Sequence, residues 1–266
     1  MPIRAILFDL DETLMEEGGS DRVAGLVTAE FASARVGVEP AALYRALVVR
    51  SAERWRAGPA FEYCRTIGIS PAEGLWGGFG GAGDGLATLR EWVPRYRVDA
   101  WTRALGDLAV SDSAFASDLA GMFVRERHAR HVVYPEALNV LETLVQKYPL
   151  ALVTNGASEI QREKIARSGL GRFFRHILIS GEAGVGKPDR GIFDLALSAL
   201  GVEPRAAVMV GDNLSRDVRG AKSAGIAAIW VNRNTGLRPD VANQPDAEVP
   251  NLAGLDRIVL ELSTRA

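Results

Sequence analysis

Side chains from four separate stretches of this chain have the types and spacing to share one reaction. Asp9 and Asp11 stand two apart in Phe8-Asp9-Leu10-Asp11-Glu12-Thr13. Thr154 and Asn155 precede Gly156, Lys187 lies between Gly186 and Pro188, and Asp212 follows Gly211 with Asp217 a little further on. Carboxylates brought together repel, so at neutral pH they need a cation. A donor set of oxygens suits a hard ion, Mg2+ above all. With that charge present, an ammonium, a hydroxyl and backbone N–H groups near glycines suit a phosphate. One carboxylate can then attack phosphorus in line and form an acyl phosphate, while the other handles a proton. Residues two apart in an extended strand face the same side, although a turn is expected at this point of the chain.

The elements that must position these groups are short apolar runs. Ala5–Asp9, Pro149–Thr154, His176–Ser180, Ala207–Gly211 and Ile226–Val231 read as strands buried on both faces of a parallel sheet. Helical patterns over Pro135–Lys147, Ser158–Ser168, Arg190–Leu200 and Ser215–Ala224 alternate with them. Such alternation predicts an α/β fold, a doubly wound parallel sheet of Rossmann-like type. The candidate groups fall at the carboxyl ends of strands or in the loops beyond them, with Asp217 one turn into the following helix, where open α/β sheets bind ligands. Residues 16–134 break the alternation. Helical periodicity over Val23–Arg35, Ala41–Arg56 and Val98–Leu108 predicts a helical cap domain inserted after the first strand, leaving 1–15 and 135–266 as the core.

Composition narrows the partners. The 266 residues carry 31 basic and 33 acidic side chains, 47% hydrophobic and 24% charged residues. The near balance of charge predicts neither nucleic acid nor an anionic membrane as partner. Cys64 is the one cysteine, so no intrachain disulfide can form, and a reducing compartment fits. No apolar stretch approaches the roughly 20 residues needed to span a bilayer, and the start has no signal-peptide pattern. A cytoplasmic protein, monomer or homodimer, is expected.

These residues resemble the motifs of the haloacid dehalogenase-like (HAD) superfamily. Asp9-Leu10-Asp11-Glu12-Thr13 looks like its first motif, Thr154 its second, Lys187 its third, and Gly211-Asp212 with Asp217 its fourth. The resemblance implies that Asp9 is the nucleophile and a metal ligand. Asp11 would protonate the leaving oxygen and then activate water, its backbone carbonyl also meeting Mg2+. Asp212 would bind the metal directly and Asp217 would support the site. Thr154 and the Asn155 N–H would hold phosphate, and Lys187 would offset charge on Asp9 and the phosphoryl group. The stretch Leu152–Ile160 with Gln161-Arg162-Glu163-Lys164 is similar to the branch containing N-acylneuraminate-9-phosphatase and pyrimidine nucleotidases. A phosphatase acting on a small phosphorylated metabolite, a sugar phosphate or nucleoside monophosphate, is implied.

Rival readings remain open. A haloacid dehalogenase displaces halide and needs no acid for its leaving group, so Asp11 speaks against it. A phosphomutase would hand the same phosphoryl group to a sugar, and a non-catalytic binding module could keep the fold. Gly181–Lys187 matches a P-loop until Pro188 replaces the required Ser or Thr. Gly78–Gly83 matches GxGxxG, but no strand is expected before it and no clear helix after it, so it reads as a flexible cap loop. An EF-hand counted from Asp9 would put Leu14 where Gly is needed. His128 and His131 read as a solvated face and Cys64 as a partly buried thiol. Trp55, Trp76, Trp92 and Trp101 are expected to pack the cap, with Arg54, Arg56 and Arg65 as candidate specificity contacts.

Overall fold

The computed structural model describes residues 2–233 and 244–265. The chain divides into two compact units: Met1–Glu16 with Val132–Gly156 and Glu163–Ala266, and Glu17–His131 with Ala157–Arg162.

The first unit is built on a six-stranded parallel sheet. Its strands are β1 (Ala5–Phe8), β4 (Leu150–Thr154), β5 (His176–Ile179), β6 (Ala207–Gly211), β7 (Ala227–Val231) and β8 (Ala247–Val249), in the order β5-β4-β1-β6-β7-β8. A two-stranded antiparallel pair, β2 (Met15–Glu16) and β3 (Val132–Val133), joins the places where the chain leaves and re-enters this unit. Its helices are α7 (Ala137–Leu144), α8 (Ser158–Ser168, whose first turn belongs to the other unit), α9 (Ser180–Ala183), α10 (Arg190–Leu200), α11 (Arg219–Ser223) and α12 (Leu255–Arg265).

Every residue of β1, β4 and β6 is buried, which is why these runs carry no polar alternation. Side chains of one strand serve two layers in turn. Ile6, Phe8, Leu150, Leu152, Val208 and Val210 pack with α7 and α12. Ala5, Leu7, Ala151, Val153, Ala207 and Met209 pack with α10 and α11. Burying one such Phe or Leu contributes about 1.5–3 kcal/mol, so these two layers fix the register.

Register sets the active edge. Phe8 stands opposite Leu152 on one side and Val210 on the other. Asp9 is therefore level with Val153 and Gly211, and Thr154 and Asp212 each lie one residue beyond. The chain then turns. Glu12 adopts a left-handed φ of 59°, its N–H donates to the Met15 carbonyl at 2.7 Å, and the Leu10 carbonyl accepts from Leu14 and Met15.

The sheet has one strand more than the five read from the apolar runs. β8 is three residues long, Ala-Glu-Val at the sheet edge, too short to carry a period. The helix expected over Ser215–Ala224 is a π-helical turn, Leu214–Val218, followed by α11. Asn213 caps it, accepting from the N–H groups of Ser215 and Arg216 at 3.1 and 3.0 Å.

The second unit is helical: α1 (Glu17–Val36), α2 (Pro40–Arg56), α3 (Phe61–Ile67), α4 (Pro71–Gly74), α5 (Asp84–Gly106) and α6 (Ser113–His128). Trp55, Trp76 and Trp101 lie in its core with Phe79, Tyr96, Phe115 and Phe123, and Trp92 packs against them. The Gly-rich stretch differs from the expected flexible loop. Trp76 and Phe79 are buried, Arg90 donates to the Phe79 and Gly81 carbonyls, and Arg97 donates to those of Gly74 and Gly77. A helix does follow it, since α5 begins at Asp84, earlier than the periodicity from Val98 indicated. The element immediately before it is the helix α4 rather than a strand, so the dinucleotide motif stays excluded.

His128 and His131 do not form a solvated face. Both rings meet Trp76 edge-on, at 5.2 and 6.3 Å between centroids. Cys64 is fully buried. Arg54 pairs with Asp99 at 2.7 Å and Arg65 with Glu62 at 2.9 Å, while Arg56 is exposed.

Candidate active site

The segments beyond β1, β4, β5 and β6 line a cavity of about 170 Å³ with Asp9, Asp11, Glu12, Asn155, Lys187, Asp212, Asn213, Arg216 and Asp217. Carboxylate oxygens of Asp9, Asp212 and Asp217 all lie within 4.8 Å of one another. Residues more than two hundred positions apart thus meet because β1 and β6 are neighbours in register.

Lys187 is the counter-charge. Its Nζ lies 2.5 Å from Asp9 Oδ1 and 2.7 Å from Asp217 Oδ1, and its side chain is almost wholly buried. Asn155 holds it there: the side-chain amide donates to the Lys187 carbonyl and accepts from the Lys187 N–H, both at 2.8 Å. Gly186 makes that approach possible, because a Cβ there would come within 2.9 Å of Asn155 Oδ1. Ser180 ties the next residue, accepting from the Gly156 N–H at 2.9 Å. The P-loop look-alike is accordingly a short helix and turn that deliver Lys187 to a carboxylate.

Asp217 is brought in by the π-helical turn, which widens the backbone so that both Asp217 and Val218 donate to the Asn213 carbonyl. Its Oδ2 accepts the Asn213 N–H at 2.9 Å. Gly211 leaves the necessary room, since a Cβ at that position would meet the Asp217 carboxylate at 2.4 Å. Asp9 also accepts from the Thr13 hydroxyl at 3.4 Å.

Asp11 and Thr154 are placed differently from the carboxylate cluster. Asp11 lines the cavity, but its carboxylate faces Lys164 Nζ at 3.1 Å, and Lys164 is fully buried. Thr154 ends β4, is fully buried, and is not among the described residues that line the cavity. Asn155 reaches the cavity wall, with its side chain spent on Lys187. Glu12, Asn213, Arg216 and Lys164 were not singled out from the sequence as site groups. Glu12 could have been, as the neighbour of Asp11; nothing in the sequence marks Arg216. Arg233 braces the turn, donating to the Glu12 and Thr13 carbonyls and lying over the Tyr134 ring at 3.4 Å from its centroid.

Electrostatics set the state of the cluster. Burial, then the charges of Asp217 and Asp11, push the Asp9 carboxyl up to about 7 against the pull of Lys187. Burial, then Asp9 and Asp217, push Asp212 up to about 9. Burial would lower the Lys187 ammonium, but Asp217 and Asp9 outweigh it and hold it above its ordinary value. Both acids titrate higher folded than unfolded, so the metal-free fold gains from their protonation. That gain is fully present below about pH 4 and is lost as pH rises through about 7 and then about 9. Thermal melts in chelator are therefore expected to drop steadily between about pH 5 and pH 9. Asp212→Asn should flatten the upper part of that slope. An unchanged slope would show that these acids are not the ones repelling.

The arrangement suits a hard cation and a phosphate, and the family comparison agrees with it. Residues 3–225 match the haloacid dehalogenase-like hydrolases, and the chain belongs to that family, in its phosphatase branch. Among its relatives is a phosphoserine phosphatase of Thermus thermophilus, 38% identical over 94% of this chain and 96% of that one. A 2-haloacid dehalogenase structure from Pseudomonas syringae pv. Tomato DC3000 is 32% identical, covering 99% of both chains with a TM-score of 0.54. The HAD-hydrolase YfnB structure from Bacillus subtilis, described as bound to magnesium, shares the fold at 21% identity and a TM-score of 0.67, over 97% of this chain and 99% of that one. No helix among the described residues is long and apolar enough to cross a membrane.

Proposed function

We propose that the chain is a Mg2+-dependent phosphomonoesterase that works through a phosphorylated Asp9. The observation that carries this reading is the meeting of Asp9, Asp212 and Asp217 with Lys187 set between two of them. The donor set is all oxygen, as a hard divalent ion requires. Asp9, Asp212 and the Asp11 carbonyl would hold the ion, with Asp217 behind them. Bound there, it would supply a Lewis acid that neutralises charge between the nucleophile and the phosphoryl oxygens.

The residues divide the work as follows. An Asp9 carboxylate oxygen attacks phosphorus while the bond from phosphorus to the ester oxygen breaks. Asp11 gives its proton to that departing oxygen. Asp11, now ionised, takes a proton from water as the water oxygen attacks phosphorus. The phosphorus–Asp9 bond then breaks, restoring the carboxylate and releasing inorganic phosphate. Lys187 balances the negative charge of Asp9 throughout, and Asn155 keeps Lys187 in place. The helical unit is inserted directly after the first motif, between the strand that leads into Asp9 and the rest of the α/β unit.

Small phosphorylated metabolites are the proposed substrates: sugar phosphates, nucleoside monophosphates and, from the Thermus relative, phosphoserine. The test is a phosphate-release screen over these classes, run with Mg2+ and with EDTA. Chelation should cut turnover by ~10²-fold or more, with recovery when Mg2+ is returned. Activity that survives exhaustive chelation would remove the metal from the reading. A second reading, 2-haloacid dehalogenase, is favoured by the Pseudomonas structure. Against it stands Asp11, an acid that halide departure does not need. Chelator-insensitive halide release from a chlorinated acid, without phosphate release, would favour that reading.

A further inference from the structure

Two lysines of this unit are buried beside the acids of the first motif. Lys187 meets Asp9; Lys164, on α8, meets Asp11. The second pair joins residues 153 positions apart, with Nζ 3.1 Å from Asp11 Oδ1. Lys164 is 0% exposed and the Asp11 side chain 25% exposed, so the ammonium is the fixed partner and the acid faces the cavity. Burying an ammonium is costly, and a lysine is rarely placed there without an anion to meet.

We infer that Lys164 is the positioning residue for Asp11, holding its carboxyl in the orientation from which a proton reaches the ester oxygen. This rests on the reading of Asp11 as the proton-transferring group. Asp11 lies three residues beyond the end of β1, in an isolated bridge with Met15, and immediately precedes a residue of left-handed conformation. Its backbone alone does not choose among side-chain rotamers. A hydrogen bond from a buried ammonium to Oδ1 removes that freedom and fixes the direction of the other oxygen. Misplacing a reacting group by about 1 Å can cost ~10²-fold, so such a bond has a kinetic consequence. The two lysines then have separate tasks: one stands with the nucleophile, the other with the acid.

The test uses the full-length chain with Mg2+ and compares phenyl phosphate with dinitrophenyl phosphate. The second has a leaving group that departs without a proton. kcat/KM is the readout, because it ends with leaving-group departure and omits the later attack of water. Asp11→Asn should lose ~10²–10⁴-fold with phenyl phosphate and much less with the dinitrophenyl ester. Lys164→Met should follow the same pattern, losing about tenfold to a hundredfold with phenyl phosphate and under about threefold with the activated ester. Lys164→Arg, which keeps a charged donor, should recover part of the loss. The double variant should be no slower than Asp11→Asn alone. If Lys164→Met does not melt cooperatively, Lys164→Gln takes its place. Equal slowing of both esters, or no slowing of either, overturns the positioning role while leaving Asp11 as the acid. Absence of any leaving-group dependence in Asp11→Asn overturns the assignment of Asp11, and the role of Lys164 with it.

Discussion

Asp9→Asn is expected to fold and to be inert. An amide cannot form the acyl phosphate, and removing a catalytic nucleophile costs on the order of 10⁴–10⁶ in kcat. The fold should not suffer, because the substitution keeps the shape of the side chain and removes one of three repelling acids. Burial and the charges of Asp217 and Asp11 already disfavour the ionised form of Asp9 without metal. In chelator the variant should therefore melt no lower than the parent, and its advantage should grow as pH rises through about 7. Paired measurements of kcat on p-nitrophenyl phosphate and of melting temperature separate these effects. Turnover above about a hundredth of the parent would remove Asp9 as nucleophile.

Lys187→Met carries the other large effect, and here stability and activity should fall together. The ammonium touches Asp9 and Asp217 at once and is almost wholly buried, so its loss leaves two buried carboxylates without a counter-charge. Breaking a buried pair from one side costs about 3–5 kcal/mol. Asp9, already pushed up by burial, can reduce that cost by taking up a proton, so the deficit in chelator should widen as pH rises. Added Mg2+ should recover much of the stability, because a divalent ion can take over the neutralisation. Activity should still fall by ~10²–10³-fold at saturating Mg2+, since charge stabilisation at the phosphoryl group is gone. A variant with unchanged melting in chelator would mean that the cluster is not held by this ammonium.

Much of the scaffold was legible because its cause is local. The runs Ala5–Asp9, Pro149–Thr154 and Ala207–Gly211 lack polar alternation, which only a strand covered on both faces tolerates. Once those strands are parallel neighbours, residues at their carboxyl ends must converge, and Asp9, Asn155, Lys187, Asp212 and Asp217 do line one cavity. What stayed hidden depends on contacts that have no period. The edge strand β8 is too short to show one. Asp217 approaches through a π-helical turn that a search for ordinary helical spacing reads as plain helix. Thr154 has the right place in the sequence, at the end of β4, yet it is fully buried and does not line the cavity. The Gly-rich stretch looked loose because glycine permits freedom, while Arg90 and Arg97, on the helix that follows, tie it down.

The amino-acid sequence by itself determined the kinds of groups available and the strand edge at which they gather, because unbroken apolar runs and motif order are properties of the linear chain. Motif order had already set Lys187 against Asp9; the tertiary structure alone decided that the same ammonium also answers Asp217 and that Lys164 answers Asp11. Those pairings depend on the register of packed strands and on the facing of α8, which are set by burial across the whole unit and leave no mark at either residue.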